Sequence, residues 1–141
     1  MTESFLEVTQ EAGAALFSRR IEGPVVMLNL LRFRPTADYS LHPELRPPER
    51  ISGKEAYQRY MDHTRPYLEE SGGEVVFLGA GGAYLIGPSE ERWDMVILVR
   101  QKSLESFLAF SSNEGYLAGL GHRTAALADS RLLPVLESVE R

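Results

Sequence analysis

Cysteine is absent from the 141 residues. That removes disulfides, thiolate metal sites and a cysteine nucleophile, and it leaves the redox compartment open. No apolar run approaches the roughly 20 residues of a membrane-spanning helix, so no membrane partner is expected. Clustered positive charge is also missing. The formal net charge is −5, and the basic groupings Arg19-Arg20 and Arg32 with Arg34 are too small for a phosphate-rich partner. Nucleic acid is therefore not expected to bind. The N-terminus carries Glu3 and Glu7 and no basic stretch ahead of an apolar one, so it does not read as a signal peptide. The default location for such a chain is the cytoplasm.

Several chemical motifs are incomplete. His42, His63 and His122 lie far apart and have no partner one helical turn away, so no metal set forms, and the residues themselves point to no cofactor. Gly79-Ala-Gly81-Gly82 lacks the third glycine and the following helix of a dinucleotide fingerprint. There is no Gly-x-Ser-x-Gly elbow, which weakens a hydrolase reading.

What is present is an ordinary globular composition, 43% hydrophobic and 25% charged, in a chain of single-domain length. Phe5, Val8, Ala12, Ala15 and Leu16 recur at helical spacing, and Ser4 and Thr9 compete to start a short helix over about residues 8–20. Residues 1–23 read as an N-terminal helical extension and 24–141 as the domain proper. A strand over 24–34 follows Gly23-Pro24. Residues 35–51 hold Pro35, Pro43, Pro47 and Pro48 and few apolar anchors, which predicts a long excursion, mobile or packed on a partner subunit.

Ser52-Gly-Lys-Glu55 is a capping box that starts a helix with Tyr57, Tyr60, Met61, Thr64 and Leu68 on its buried stripe. Pro66 should kink its last turn or end it early. Residues 74–79 and 83–86 read as strand, with a bulge or bend at Gly79, Gly81 and Gly82. Trp93 to Val99 gives the strongest strand signal. Ser103 then caps a helix with Leu104, Phe107 and Leu108 inward, Asn113 caps another reaching about Ala128, and residues 130–136 form a last strand. Pro134 suits an edge position in it.

The order is β-α-β-β-α-β with extra helices, which predicts an α+β fold of the ferredoxin-like kind: an antiparallel sheet with both crossover helices on one face. Strands 24–34 and 93–100 would be central. Val25, Met27 and Leu31 share one face of the first and Val26, Leu28 and Leu30 the other, so both faces are apolar. A sheet with one wet face should alternate with polar residues. The simplest cover for the second face is another copy of the same sheet, a symmetric homodimer.

Met27-Leu-Asn-Leu-Leu31, Ser52-Gly53 leading to Tyr57 and Tyr60, Gly87-Pro88 to Trp93-Asp94, and His122-Arg-Thr-Ala-Ala-Leu-Ala-Asp-Ser-Arg131 together resemble the dimeric α/β-barrel superfamily. Within it, the chain resembles a family catalogued only as a domain of unknown function, over about residues 24–136. The resemblance implies fold and dimerisation more strongly than activity. Superfamily relatives include cofactor-free monooxygenases, lactone isomerases and haem-dependent enzymes that use the cavity between sheet and helices, and haem would call on His63 or His122.

The candidate site residues each carry two readings. His122 suits a general base and Arg123 an anion partner, with Asp129 about two turns on; alternatively the three tie a helix end to the last strand. Asn29, polar within an apolar strand, either faces a cavity or is bonded to neighbouring backbone. Tyr60 and Trp93 either line an aromatic ligand pocket or belong to the core. Asp94 reads as a satisfied carboxylate at a strand start. Two functions follow. One is a cofactor-independent oxygenase or isomerase acting on a small apolar or carboxylated compound. The other is a non-catalytic small-molecule-binding or structural dimer.

Overall fold

The computed structural model describes residues 3–137. The first element is α1 (Gln10–Ser18), which Thr9 caps by accepting a hydrogen bond from the Ala12 amide. Phe5 and Val8 therefore lie ahead of the helix rather than on its stripe. The remaining elements are β1 (Val25–Phe33), α2 (Gly53–Glu70), β2 (Glu74–Ala83), β3 (Arg92–Gln101), α3 (Leu104–Ser111), α4 (Glu114–Leu117), α5 (Leu120–Ala126) and β4 (Leu127–Leu136).

The four strands form one antiparallel sheet in the order β2-β3-β1-β4. Helical crossovers join β1 to β2 and β3 to β4, β2 and β3 pair directly, and β1 and β3 are central, which is the ferredoxin-like arrangement expected of the βαββαβ order. β4 is an edge strand, which accommodates Pro134 without losing a central ladder bond.

The predicted capping box is complete. Ser52 Oγ accepts from the Glu55 amide and Glu55 Oε1 from the Ser52 amide, both at 3.0 Å. The α2 helix runs through Pro66 to Glu70, so the expected early end does not occur. A proline removes only one ladder donor, and tertiary packing of Thr64 and Leu68 holds the turns on both sides of it. The glycines at 79, 81 and 82 stay within a single continuous β2, and the register shift lies earlier, between Val75 and Phe77. The predicted long helix after Asn113 is instead two short ones broken at Gly119. Leu104 is buried and Phe107 packs beside it, but Leu108 is half exposed rather than inward.

The core lies between the helices and one face of the sheet. Leu31 and Ile97 meet Ala56 and Tyr57 of α2 and Ala125 and Ala126 of α5, while Val25 and Met27 meet Leu104 of α3. The segment between β1 and α2 is not a mobile excursion. Tyr39 is 5% exposed and belongs to the main core cluster, with Ala37, Leu45 and Ile51 packed against it. Backbone bonds from Ala37 to Ile51 and from Asp38 to Ala125 fix its two arms. One buried aromatic and a few small apolar residues replace the run of hydrophobes that the sequence lacks there.

On the opposite sheet face Val26, Leu28, Leu30, Val96 and Leu98 are half buried and join none of the core clusters among the described residues. Phe77 of β2 and Leu133 of β4 extend that face and are 54% and 58% exposed. Leu31→Ala should destabilise the fold by about 2–5 kcal/mol in urea denaturation, since Leu31 is fully buried. Leu85→Ala, at a fully exposed position, should leave the monomer's midpoint unchanged. Equal effects of the two would contradict this division of core and surface.

Candidate functional site

The six candidate residues fall into three places. Around the start of β4, Asp129 is buried and its carboxylate is fully engaged. Oδ1 accepts from the Phe5 amide at 2.9 Å, the Ser130 amide at 2.8 Å and Arg131 Nη1 at 2.7 Å, and Oδ2 accepts from Arg32 Nη2 at 3.3 Å. Arg123 reaches the same place from α5. Its Nη1 donates to the Leu6 carbonyl at 2.7 Å and its Nη2 to Ser130 Oγ at 3.4 Å. Ser130 Oγ donates in turn to the Phe5 carbonyl.

Trp93 joins this group through stacking. The Arg131 guanidinium lies 5.0 Å from the Trp93 ring and 4.8 Å from the Phe5 ring, and Arg32 lies 5.7 Å from Trp93. The indole N–H donates to Tyr84 Oη at 2.8 Å and Glu91 Oε2 at 3.2 Å. Asp94, beside it, accepts from the Phe33 amide and from Arg92, a satisfied strand-start carboxylate.

The second place is the helix layer. Tyr60 shares a 2.8 Å hydrogen bond with Tyr116. Burial, then the neighbouring phenols Tyr116 and Tyr57, push the Tyr60 hydroxyl well above its ordinary range. Burial likewise pushes Tyr57 up to about 12. Both are held as neutral phenols and cannot serve as bases near neutral pH. Asn29, in the middle of β1, donates through Nδ2 to the Met27 and Ile97 carbonyls at 3.2 and 3.3 Å.

His122 stands apart from all of these. Its Nδ1 shares a 2.7 Å hydrogen bond with Tyr39 Oη, and the two rings meet edge to face. Burial lowers its pKa, and the nearby Arg59 guanidinium adds to the effect, so the uncharged imidazole is favoured. No contact joins His122 to Asn29 among the described residues. The glycines before it allow close packing: a Cβ at Gly119 would lie 2.2 Å from the His63 ring, and one at Gly121 2.6 Å from the His42 ring. His63 itself bonds the Gly115 carbonyl at 2.7 Å.

A cleft of about 790 Å³ opens within the segment before α2, lined by Thr36, Asp38, Tyr39, Ser40, Arg46 and Arg50 among others. A smaller one of about 200 Å³ is lined by Pro24, Gly72, Glu74, Arg100, Gln101 and Lys102. Neither is lined by any of the six candidate residues. No group of three or more metal-ligating side chains comes together among the described residues, and no helix there is long and apolar enough to cross a membrane.

Sequence reasoning missed Phe5 and Leu6. Their signal was an apolar pair just ahead of the Thr9 cap, which helical spacing absorbed into the wrong element. It also missed Tyr39, a lone aromatic in a proline-rich stretch. Burial alone would raise the Asp129 carboxyl, but the Phe5 amide, Arg131 and the Ser130 amide outweigh it and hold the pKa below 3.8. A carboxyl depressed on folding adds stability above its unfolded pKa and loses it as pH falls through the folded one. Asp129→Asn should therefore cost about 1–3 kcal/mol at pH 7. Its deficit relative to the unchanged protein should shrink steadily below pH 4 in urea titrations. A deficit independent of pH would show that the charge does not matter.

Among solved structures, the chain is similar to the RPA0582 protein, described as of unknown function, from Rhodopseudomonas palustris. The identity is 34% over 99% of this chain and all of that one, with a TM-score of 0.83. The methylated form of RPA0582 gives 36% identity, 97% and 96% coverage and a TM-score of 0.84. A dimeric ferredoxin-like protein of unknown function from Thermobifida fusca YX is far more distant, at 14% identity over 81% of this chain and 91% of that one, with a TM-score of 0.39. No family model and no curated protein matches. Identity above 30% over nearly the whole length of both chains is decisive, and this chain belongs to the family of RPA0582.

Proposed function

We propose that the protein works as a symmetric homodimer of the α/β-barrel kind, closed by its open sheet faces, with the candidate polar residues holding the subunit together rather than performing chemistry. The observation that carries this is the apolar open face. Val26, Leu28, Leu30, Val96 and Leu98 form a continuous patch that joins none of the helix-packed core clusters among the described residues. Four strands about 4.8 Å apart and about 30 Å long give a face of roughly 600 Å². That approaches the roughly 800 Å² per partner of a standard interface, and the exposed Leu85 and Ile86 beyond β2 supply further apolar area.

The structural reading of the polar set rests on occupancy. Asn29, Tyr60, Trp93, Arg123 and Asp129 each direct their polar atoms to groups of the same chain. A residue so engaged has little left for a substrate. A small-molecule ligand, if the family carries one, would then sit in the loop cleft or between the two sheets, away from these residues.

One observation favours the catalytic alternative, cofactor-independent oxygenation or isomerisation of a small apolar or carboxylated compound. Burial favours the uncharged form of His122, which makes its hydrogen bond through Nδ1; in the tautomer whose Nδ1–H donates to Tyr39, the Nε2 lone pair is a base. Native mass spectrometry of protein purified from its host tests this reading. A co-purified compound lost in His122→Ala supports it, and a spectrum showing protein alone counts against it.

Sedimentation equilibrium tests the dimer. The protein should sediment at twice 15.8 kDa at micromolar concentration. Phe77→Glu with Leu133→Glu should give a monomer with unchanged circular dichroism, because both side chains are exposed in the subunit. A monomeric wild type would overturn the proposal.

A further inference from the structure

The polar network at the start of β4 has a peptide lying in it. Phe5 and Leu6 run along the start of β4 in a cradle of side chains: Asp129 takes the Phe5 N–H, Ser130 gives its hydroxyl to the Phe5 carbonyl, and Arg123 gives a guanidinium N–H to the Leu6 carbonyl. All three contacts go to backbone and none reads a side-chain polar group. The side chains are sorted by shape. Leu6 packs against the main core cluster, while the Phe5 ring, 49% exposed, lies on the Arg131 guanidinium that is itself stacked on Trp93.

We infer that this cradle is a binding site for an extended peptide carrying an aromatic residue followed by an aliphatic one, and that the chain's own N-terminal segment fills it as an internal competitor. The backbone N–H and C=O of one residue, Phe5, are both matched by side chains, so the cradle recognises an extended main chain whatever its sequence. The segment is also weakly tethered. Glu7, Val8 and Thr9 are exposed, and α1 buries no residue. Leaving the cradle costs the contacts of Phe5 and Leu6 and takes one hydrogen bond from the buried Asp129 carboxylate, which the backbone N–H of an incoming peptide would restore. Vacated, it presents a carboxylate acceptor, a hydroxyl and a guanidinium donor beside an apolar hole of leucine size. Arg32 and Arg131 pair with Asp129 there, Arg123 bonds the neighbouring Ser130, and Glu91 accepts from the Trp93 indole, while the resident segment is flanked by the exposed Glu3 and Glu7.

The test uses the full chain and a fluorescein-labelled, amidated peptide Glu-Ser-Phe-Leu-Glu, the sequence of residues 3–7. A segment tethered by so short a link competes at an effective concentration of order millimolar. Wild type should therefore bind the probe weakly, and Leu6→Ala, which empties the apolar hole, should bind it at least tenfold more tightly by fluorescence polarisation. Adding Arg123→Gln to that variant should remove the gain. Folding of each variant is checked by circular dichroism. If Leu6→Ala does not fold, hydrogen exchange on the wild type decides, since excess unlabelled peptide should accelerate exchange at the Phe5 amide. A folded Leu6→Ala that binds no more tightly than wild type, a gain that survives Arg123→Gln, or a Phe5 amide indifferent to the peptide would each overturn the inference. None of these readouts depends on whether the protein is a dimer.

Discussion

β1 and β3 are apolar on both faces, and the helices can reach only one of them. Val25, Met27 and Leu31 are buried beneath α2, α3 and α5, whereas Val26, Leu28 and Leu30, on alternate positions of the same strand, lie half buried outside every core cluster among the described residues. At about 25 cal/mol per Å² of apolar surface, leaving such a face in water forgoes several kcal/mol of the energy a domain of this size depends on. The rest of the architecture accommodates this. The polar groups that could have faced a ligand are drawn to the rim of the sheet, where Asp129, Arg32, Arg131 and Trp93 form a compact network at the start of β4.

That network gives the N-terminal segment its place. A buried carboxylate is costly unless it is hydrogen-bonded on every side. Asp129 meets the requirement with two arginines and two backbone amides, one of which belongs to Phe5. The segment ahead of α1 is thus part of the electrostatic balance of the last strand, though more than a hundred residues separate them in sequence. The same arrangement separates the histidine of the His122–Arg131 motif from its arginine and aspartate, which meet around Ser130. His122 and Arg123 are neighbours on a helix and point apart, one to Tyr39 and the other to Leu6.

Much of the fold was legible in the sequence. Continuous apolar runs in Val25–Phe33 and Trp93–Val99, the capping box at Ser52 and the caps at Ser103 and Asn113 locate elements by local physics, and strand order follows from the connection rules. What was not legible depended on tertiary contacts. Pro66 does not end its helix because packing on both sides outweighs one lost bond. The loop after β1 is ordered by Tyr39, whose burial no local pattern announces. Phe5 fits a helical stripe as well as it fits an extended strap, and only Asp129, at the far end of the chain, decides between them. The separation of the candidate residues into three places was hidden for the same reason, since spacing in sequence does not say which way side chains on a short helix point.

The account's central claim is that the open sheet face is covered by a second copy. Isotope-filtered NOE spectroscopy on a mixture of labelled and unlabelled protein measures this directly, because it records only contacts between copies. Intermolecular contacts should arise from the methyl groups of Val26, Leu28, Leu30, Val96 and Leu98. Their absence, or intermolecular contacts confined to methyls of the helical layer, would contradict the claim.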